Sequence, residues 1–131
     1  MTSLVDHAVL VTGANRGMGR EYAAQLLDRG VTKVYAAARD PRTIDVEDPR
    51  IVPLQLDVTD ATSVAEAAVI ASDVSVLINN AGIYRATSVL DPDTSSLHEE
   101  LETNLFGPLA MASAFADRIA ERSGAIVNVA S

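Results

Sequence analysis

Residues 8–19, with the sequence AVLVTGANRGMG, decide the fold of this 131-residue chain. The stretch opens with an uninterrupted apolar run, which is typical of a strand buried on both faces of a parallel sheet. It then passes through Gly13, Gly17 and Gly19 into a predicted helix. Because the first N–H groups of a helix have no intrahelical partner and the helix dipole favours negative charge there, this loop could hold a phosphate. An ordinary strand-to-helix turn of an α/β protein could show the same pattern.

Each of the three glycines has a physical reason for its position. Gly13 would let the chain turn sharply off the strand, Gly17 would let a pyrophosphate approach the backbone, and Gly19 would let the helix pack closely on the sheet. The spacing is G-x-x-x-G-x-G and not the commoner G-x-G-x-x-G. With Thr12 before it, the loop resembles the T-G-x-x-x-G-x-G motif of the short-chain dehydrogenase/reductase family.

Composition and charge narrow the class of protein. A hydrophobic content of 48% excludes a disordered chain, and no apolar run is long enough for a membrane span. The chain has no cysteine, which rules out disulfides and thiolate metal sites, and we predict no metal site. The first seven residues lack the pattern of a signal peptide, and the net charge of −8 argues against nucleic-acid binding. We therefore expect a cytoplasmic protein with neither nucleic acid nor membrane as a partner.

Strands and helices alternate along the chain. After the opening strand, apolar runs predict strands at 33–38, 51–56, 74–78 and 125–130, and helical patterns cover 20–28, 64–71 and 97–122. Pro108 falls inside the last helix and predicts a kink or interruption there. Its apolar side would carry Leu101, Leu105, Leu109, Ala112 and Phe115 or Ala116.

The alternation predicts an α/β fold, a Rossmann-type doubly wound parallel sheet with strand order 3-2-1-4-5. Residues 1–131 would form a single dinucleotide-binding domain, incomplete at its C-terminal end. A cofactor crevice is expected at the switch point between strands 1 and 4.

Arginines occupy the position that selects between the two nicotinamide dinucleotides. Arg39 follows the second strand, where an acidic residue would bind the ribose 2′-hydroxyl of NAD. Arginine instead pairs with phosphate, and Arg16 of the glycine loop could reach the same place. The pair favours NADP over NAD, although both could be solvated loop charges. Asp40 lies next to Arg39 and could act against a phosphate.

Two further motifs end predicted strands at the carboxyl edge of the sheet. Asp57 and Val58 follow the third strand; in the family that the chain resembles, the matching aspartate contacts the adenine. Asp57 could instead merely begin the turn L-D-V-T-D. Residues 79–82, N-N-A-G, match the family motif letter for letter and suit bracing of the backbone and close approach of a sugar. We predict these cofactor-binding residues: Gly13, Asn15, Arg16, Gly17, Met18, Gly19, Arg39, Asp57, Val58, Asn80, Ala81 and Gly82.

The resemblance also implies catalytic residues. It places a catalytic asparagine, which distorts its helix and holds a water of a proton relay, at Asn104. It places the serine that hydrogen-bonds the substrate carbonyl at Ser131. The family's general acid is the tyrosine of a later Y-x-x-x-K element, which this chain does not contain: its single lysine, Lys33, follows Arg29 by four residues.

Two interpretations remain open. In the first, the chain is the N-terminal portion of an NADP(H)-dependent oxidoreductase, a fragment that ends at the catalytic-serine strand and is inactive alone. The complete enzyme would move a hydride between the nicotinamide and a small-molecule carbonyl or alcohol, and would form a homo-oligomer as the family usually does. In the second, the chain is a non-catalytic NADP-binding module or one completed by a partner.

Overall fold

The computed structural model describes residues 3–86 and 88–130. Five strands and four α-helices alternate along them. The strands are β1 (Ala8–Val11), β2 (Lys33–Ala38), β3 (Ile51–Gln55), β4 (Val74–Asn79) and β5 (Ala125–Asn128). The helices are α1 (Gly17–Asp28), α2 (Ala61–Ile70), α3 (Ser95–Leu101) and α4 (Gly107–Glu121), with a π-helical segment (Glu102–Phe106) joining the last two.

The strands form one sheet in which every pairing is parallel. Their order is β3-β2-β1-β4-β5, so the predicted Rossmann-type topology is confirmed. Because the chain leaves β1 toward one edge and returns at β4 on its other side, the carboxyl ends of these two strands open a crevice. Within the described ranges, no helix combines the length and apolar character needed to cross a bilayer.

Side chains of alternate strand residues fill one apolar layer on each face of the sheet. Leu10 and Leu77 point into the layer that contains Phe115 of α4. Val9 and Val11 point into the layer that contains Leu26 of α1. Strands β1, β2 and β4 are buried along nearly their whole length, as the unbroken apolar runs predict.

Two helices begin three residues earlier than the sequence pattern indicates. The Asp60 carboxylate caps α2 by accepting a hydrogen bond from the Thr62 N–H at 3.0 Å, so the helix starts at Ala61. Helix α1 starts at Gly17, which places the second and third glycines of the loop in its first turn.

The predicted long helix is interrupted, and of the side chains expected along its apolar side Phe115 is buried but the three leucines are not. Pro108 lies in the first turn of α4, where a missing N–H is tolerated, and the π-helical segment stands directly before it. The buried side chains of α4 are Met111, Phe115 and Ile119. In contrast, the leucines expected on the core side are exposed, at 39% for Leu101, 48% for Leu105 and 57% for Leu109. The extra residue of the π turn shifts the helical phase, which a 3.6-residue pattern does not anticipate.

Candidate functional site

A cavity of 1230 Å³ opens at the carboxyl edge of the sheet. All of the predicted cofactor-binding residues except Gly19 line it: Gly13, Asn15, Arg16, Gly17, Met18, Arg39, Asp57, Val58, Asn80, Ala81 and Gly82. The topology therefore brings the glycine loop, the end of β2, the end of β3 and the N-N-A-G segment around one space. Gly19 is buried beneath the loop.

The glycine loop lies against β4 on one side and is open to the cavity on the other. Gly13 has φ +61°, and a Cβ there would stand 3.0 Å from Ala81 Cα. A Cβ on Gly19 would stand 2.2 Å from the Gly13 carbonyl oxygen, so the first turn of α1 packs directly on the loop. Gly17 has φ +55° and no neighbouring atom within 4 Å of such a Cβ. An anion can therefore approach the start of α1 at Gly17, where the helix presents unpaired N–H groups.

Thr12 and Asn80 join the glycine loop to the end of β4. The Thr12 hydroxyl oxygen accepts hydrogen bonds from the backbone N–H groups of Asn80 at 2.9 Å and of Ala81 at 2.8 Å. The Asn80 side-chain amide donates to the Thr12 and Gly13 carbonyl oxygens, both at 3.3 Å. These four bonds fix the two halves of the cavity floor relative to each other.

Asn79 braces the next strand pair. Its side-chain amide donates to Asn128 Oδ1 at 2.9 Å and to the Pro108 carbonyl oxygen at 3.5 Å. The two asparagines of the N-N-A-G segment thus connect β4 to opposite neighbours: Asn80 to the glycine loop and Asn79 to β5 and α4.

Two arginines line the cavity, Arg16 in the glycine loop and Arg39 directly after β2. The side chains of both arginines are exposed. The positive charge of Arg39 also acts electrostatically on the Asp57 carboxylate. Asp57 Oδ1 also accepts hydrogen bonds from the Thr59 hydroxyl at 2.6 Å and the Thr59 N–H at 2.9 Å. The Thr59 hydroxyl bond, helped by the Arg39 charge, holds the pKa of Asp57 below its usual value. Asp57 Oδ1 therefore does take part in the turn L-D-V-T-D, as the second interpretation predicts. Asp57 also lines the cavity.

Asn104 lies within the π-helical segment, where it binds the backbone of the loop that follows β4. Asn104 Oδ1 accepts a hydrogen bond from the Ile83 N–H at 2.8 Å, and Asn104 Nδ2 donates to the Ile83 carbonyl oxygen at 2.7 Å. The predicted helix distortion at Asn104 is present. Ser131, the second predicted catalytic residue, lies outside the described residues.

The only lysine stands at the opposite edge of the sheet. Lys33 Nζ and the Tyr35 hydroxyl bind the two carboxylate oxygens of Asp73, at 2.9 Å and 2.7 Å. Burial would raise the pKa of Asp73, but these two hydrogen bonds outweigh it and lower the pKa. Burial raises the pKa of the Tyr35 phenol, which suits a structural hydroxyl and not a general acid near neutral pH.

The sequence motifs do not identify the residues of one wall of the cavity. This wall consists of side chains from α3 and the π-helical segment: Ser95, His98, Glu99, Glu102 and Thr103. Their spacing of three to four residues places them on one helix face, and this periodicity is the signal in the sequence that could have found them. The role of Asn128 as the partner of Asn79 carries no such signal. Within the described ranges, no group of His, Asp and Glu side chains is arranged to hold a metal ion.

The parallel sheet, the open glycine loop and the crevice between β1 and β4 together define a dinucleotide-binding class of protein. The chain belongs to the short chain dehydrogenase family, whose family model matches residues 7–131. It is 35% identical over 128 residues to the short chain dehydrogenase tazN of Aspergillus terreus, covering 88% of this chain and 28% of that protein. It is 32% identical to the 3-oxoacyl-[acyl-carrier-protein] reductase FabG of Staphylococcus aureus, covering 95% of this chain and 55% of that protein.

Solved structures show the same architecture. A short chain dehydrogenase from Burkholderia cenocepacia in complex with NADP superimposes with a TM-score of 0.94 at 40% identity, covering 99% of this chain and 55% of that one. An NADPH-bound carbonyl reductase from chicken fatty liver superimposes with a TM-score of 0.85 at 32% identity, covering 95% and 59%. The chain thus spans between 28% and 59% of the length of these four proteins.

Proposed function

We propose that this chain forms the cofactor-binding part of an NADP(H)-dependent oxidoreductase that transfers a hydride between the nicotinamide and a carbonyl or alcohol substrate. The observation that carries the proposal is that Arg16 and Arg39 line the same cavity as the open face of the glycine loop. One guanidinium group on the glycine loop and one directly after β2 suit a ribose 2′-phosphate, which NADP has and NAD lacks. The likeness to a dehydrogenase in complex with NADP and to an NADPH-bound reductase supports the same choice.

The residues around the cavity fit such a cofactor. The N–H groups at the start of α1 would bind the diphosphate, and Asp57 with Val58 would flank the adenine. Asn15 and Met18 of the loop line the same space, and residues 80–82 would lie along a ribose. When bound, the nicotinamide supplies or accepts the hydride.

Asn104 and Ser131 are the proposed catalytic residues of this chain. Asn104 would hold a water of the proton relay, and Ser131 would donate a hydrogen bond to the substrate carbonyl oxygen. Since the 131 residues contain no Y-x-x-x-K element, we propose that they bind the cofactor without turning substrate over. The alternative of a non-catalytic NADP-binding or partner-completed module makes the same prediction for binding. The predicted cytoplasmic location, and the homo-oligomeric state expected of the complete enzyme, stay part of the proposal.

Calorimetric titration of the purified protein with NADPH and NADH tests the cofactor. We expect NADPH to bind more tightly, and R16A/R39A to weaken NADPH binding by about 10- to 100-fold, since it removes two charge-assisted phosphate contacts. NADH binding should change much less. The matched control is R29A, because Arg29 is exposed at the far end of α1 and does not line the cavity.

A protein that binds neither dinucleotide, or an R16A/R39A variant that loses both equally, would overturn the NADP assignment. Carbonyl-dependent oxidation of NADPH, followed at the same protein concentrations, tests the inactivity. Measurable turnover that N104A abolishes would show that the chain contains its own general acid.

A further inference from the structure

The tripeptide Asp-Pro-Arg occurs twice between β2 and β3, at residues 40–42 and 48–50, and its aspartate and arginine form the same hydrogen bonds both times. Asp40 Oδ1 accepts hydrogen bonds from the Arg42 N–H and Nε, both at 3.0 Å, and Asp40 Oδ2 accepts one from Arg42 Nη2 at 3.0 Å. The Asp48–Arg50 pair repeats this pattern at 2.9, 2.9 and 2.8 Å. Each arginine therefore forms a bidentate ion pair with the aspartate two residues before it.

The two copies differ in where they stand. Asp40 lines the cavity together with Arg16 and Arg39, whereas Asp48 does not. Arg42 itself does not line the cavity, and its side chain is 88% exposed. Arg50 has a second task, since its Nη1 donates to the Leu27 carbonyl oxygen at 3.0 Å. Among the described residues, the Arg42 side chain donates hydrogen bonds to the Asp40 carboxylate, whereas the Arg50 side chain also donates one to a residue outside its own pair.

An unpaired carboxylate at Asp40 would oppose the function proposed for this end of the cavity. It would repel a 2′-phosphate and attract Arg16 or Arg39 away from it. Asp57, the carboxylate that follows β3 and lines the same cavity, is held by the hydroxyl and N–H of Thr59. The Arg42 side chain likewise binds Asp40 and lowers the pKa of that carboxyl, so the group stays an ion-paired anion.

We propose that Arg42 is a positioning residue for cofactor choice: it holds the Asp40 carboxylate in an ion pair, so that Arg16 and Arg39 are free to bind a 2′-phosphate. The inference rests on the proposed function and names a residue that sets its specificity without touching the cofactor. Arg39 and Arg42 would therefore have different roles. Arg39 would bind the phosphate, and Arg42 would neutralise the charge of Asp40, which is the residue next to Arg39 in the sequence.

A double-mutant cycle at residues 40 and 42 tests the inference, with the dissociation constants of NADPH and NADH measured by calorimetry. We expect R42A to weaken NADPH binding by about three- to tenfold, the effect of one unit charge acting through water on a nearby phosphate dianion. NADH binding should not weaken. D40N/R42A should restore the affinity for NADPH, since no carboxylate is left to neutralise, and R42K should retain most of it.

R50A is the matched control, because it breaks the same ion pair in the copy outside the cavity. We expect it to lower the stability of the fold through the lost Leu27 contact and to leave the NADPH-to-NADH ratio unchanged. The loss in R42A should shrink at high salt, as screening demands of an exposed charge.

The outcomes separate the two proposals. If R16A/R39A loses NADPH selectively while R42A binds like the wild type, the cofactor assignment stands and the role of Arg42 is wrong. The role of Arg42 is equally wrong if D40N/R42A binds NADPH no better than R42A does. If the wild-type protein binds neither dinucleotide, both proposals fail together.

Discussion

Thr12 joins the turn after β1 to the turn after β4 at the floor of the crevice. It is 1% exposed, and its hydroxyl oxygen serves two backbone N–H groups of the segment that follows β4. Through it, the turn after β1 and the turn after β4 keep a fixed separation. A dinucleotide that spans both turns needs that separation to be set before it binds.

We expect T12V to lower the free energy of unfolding by about 2–4 kcal/mol, because valine keeps the shape and leaves two N–H groups without their acceptor. T12S keeps the oxygen and should cost about 1 kcal/mol, the value of one buried methyl group. Urea unfolding measures both. The control is T62V, on the exposed surface of α2, which should change stability by less than about 0.5 kcal/mol. A T12V variant as stable as T62V would show that the N–H groups find another acceptor.

The π-helical segment is the element that shapes the cavity wall. It carries Asn104 with its side chain toward the loop after β4, where the amide and carbonyl of Ile83 both bind it. A regular α-helix would place residue 104 at a different angle, since the π turn rotates every later residue. The distortion and the Asn104–Ile83 pair therefore depend on each other.

Replacing Asn104 should make the loop that follows β4 more mobile, because this side chain binds the backbone of Ile83 in that loop. In N104A the Ile83 N–H loses its acceptor, and we expect its hydrogen exchange to accelerate by roughly tenfold, as the loss of one net hydrogen bond implies. Amide exchange followed by NMR or mass spectrometry measures it. E121A, at an exposed position at the end of α4 and away from the cavity, should leave that rate unchanged. Equal rates in N104A and the wild type would mean that other contacts hold the loop.

Local chemistry explains which elements are predictable from the sequence. The glycine loop and the strand runs depend on neighbours in sequence, so their patterns are visible there. The predicted apolar side of the last helix is right for Phe115, which is buried, and wrong for Leu101, Leu105 and Leu109, which are exposed, because the π turn shifts the phase of the helix before Met111. The repeated Asp-Pro-Arg tripeptide is visible in the sequence, but the sequence does not show that the Asp40 copy lines the cavity and the Asp48 copy does not.

At the scale of the whole molecule, the alternating elements and right-handed crossovers predict a doubly wound parallel sheet. The order 3-2-1-4-5 is the Rossmann-type choice among the orders that such a sheet allows, and the structure has it. Surfaces are harder to predict, because a pattern indicates that a face is apolar without indicating what covers it. The described residues leave Leu101, Leu105, Phe106 and Leu109 exposed along one stretch of helix. This stretch is the surface that supports the proposed homo-oligomer, since monomers rarely expose contiguous apolar patches of such side chains.

We expect the protein to associate with a second copy through this surface in solution. Sedimentation velocity over a wide range of protein concentration should show association in the wild type, and L105E/L109E should remove it, because burying two carboxylates without partners is costly. The control is V69E/I70E, which places the same charges on the exposed apolar residues of α2, at 78% and 62% exposure, and should associate like the wild type. Association that survives in L105E/L109E would assign the contact to another face, with the exposed Ile126 and Val127 of β5 next to be tested. A wild-type monomer at every concentration would contradict the self-association outright.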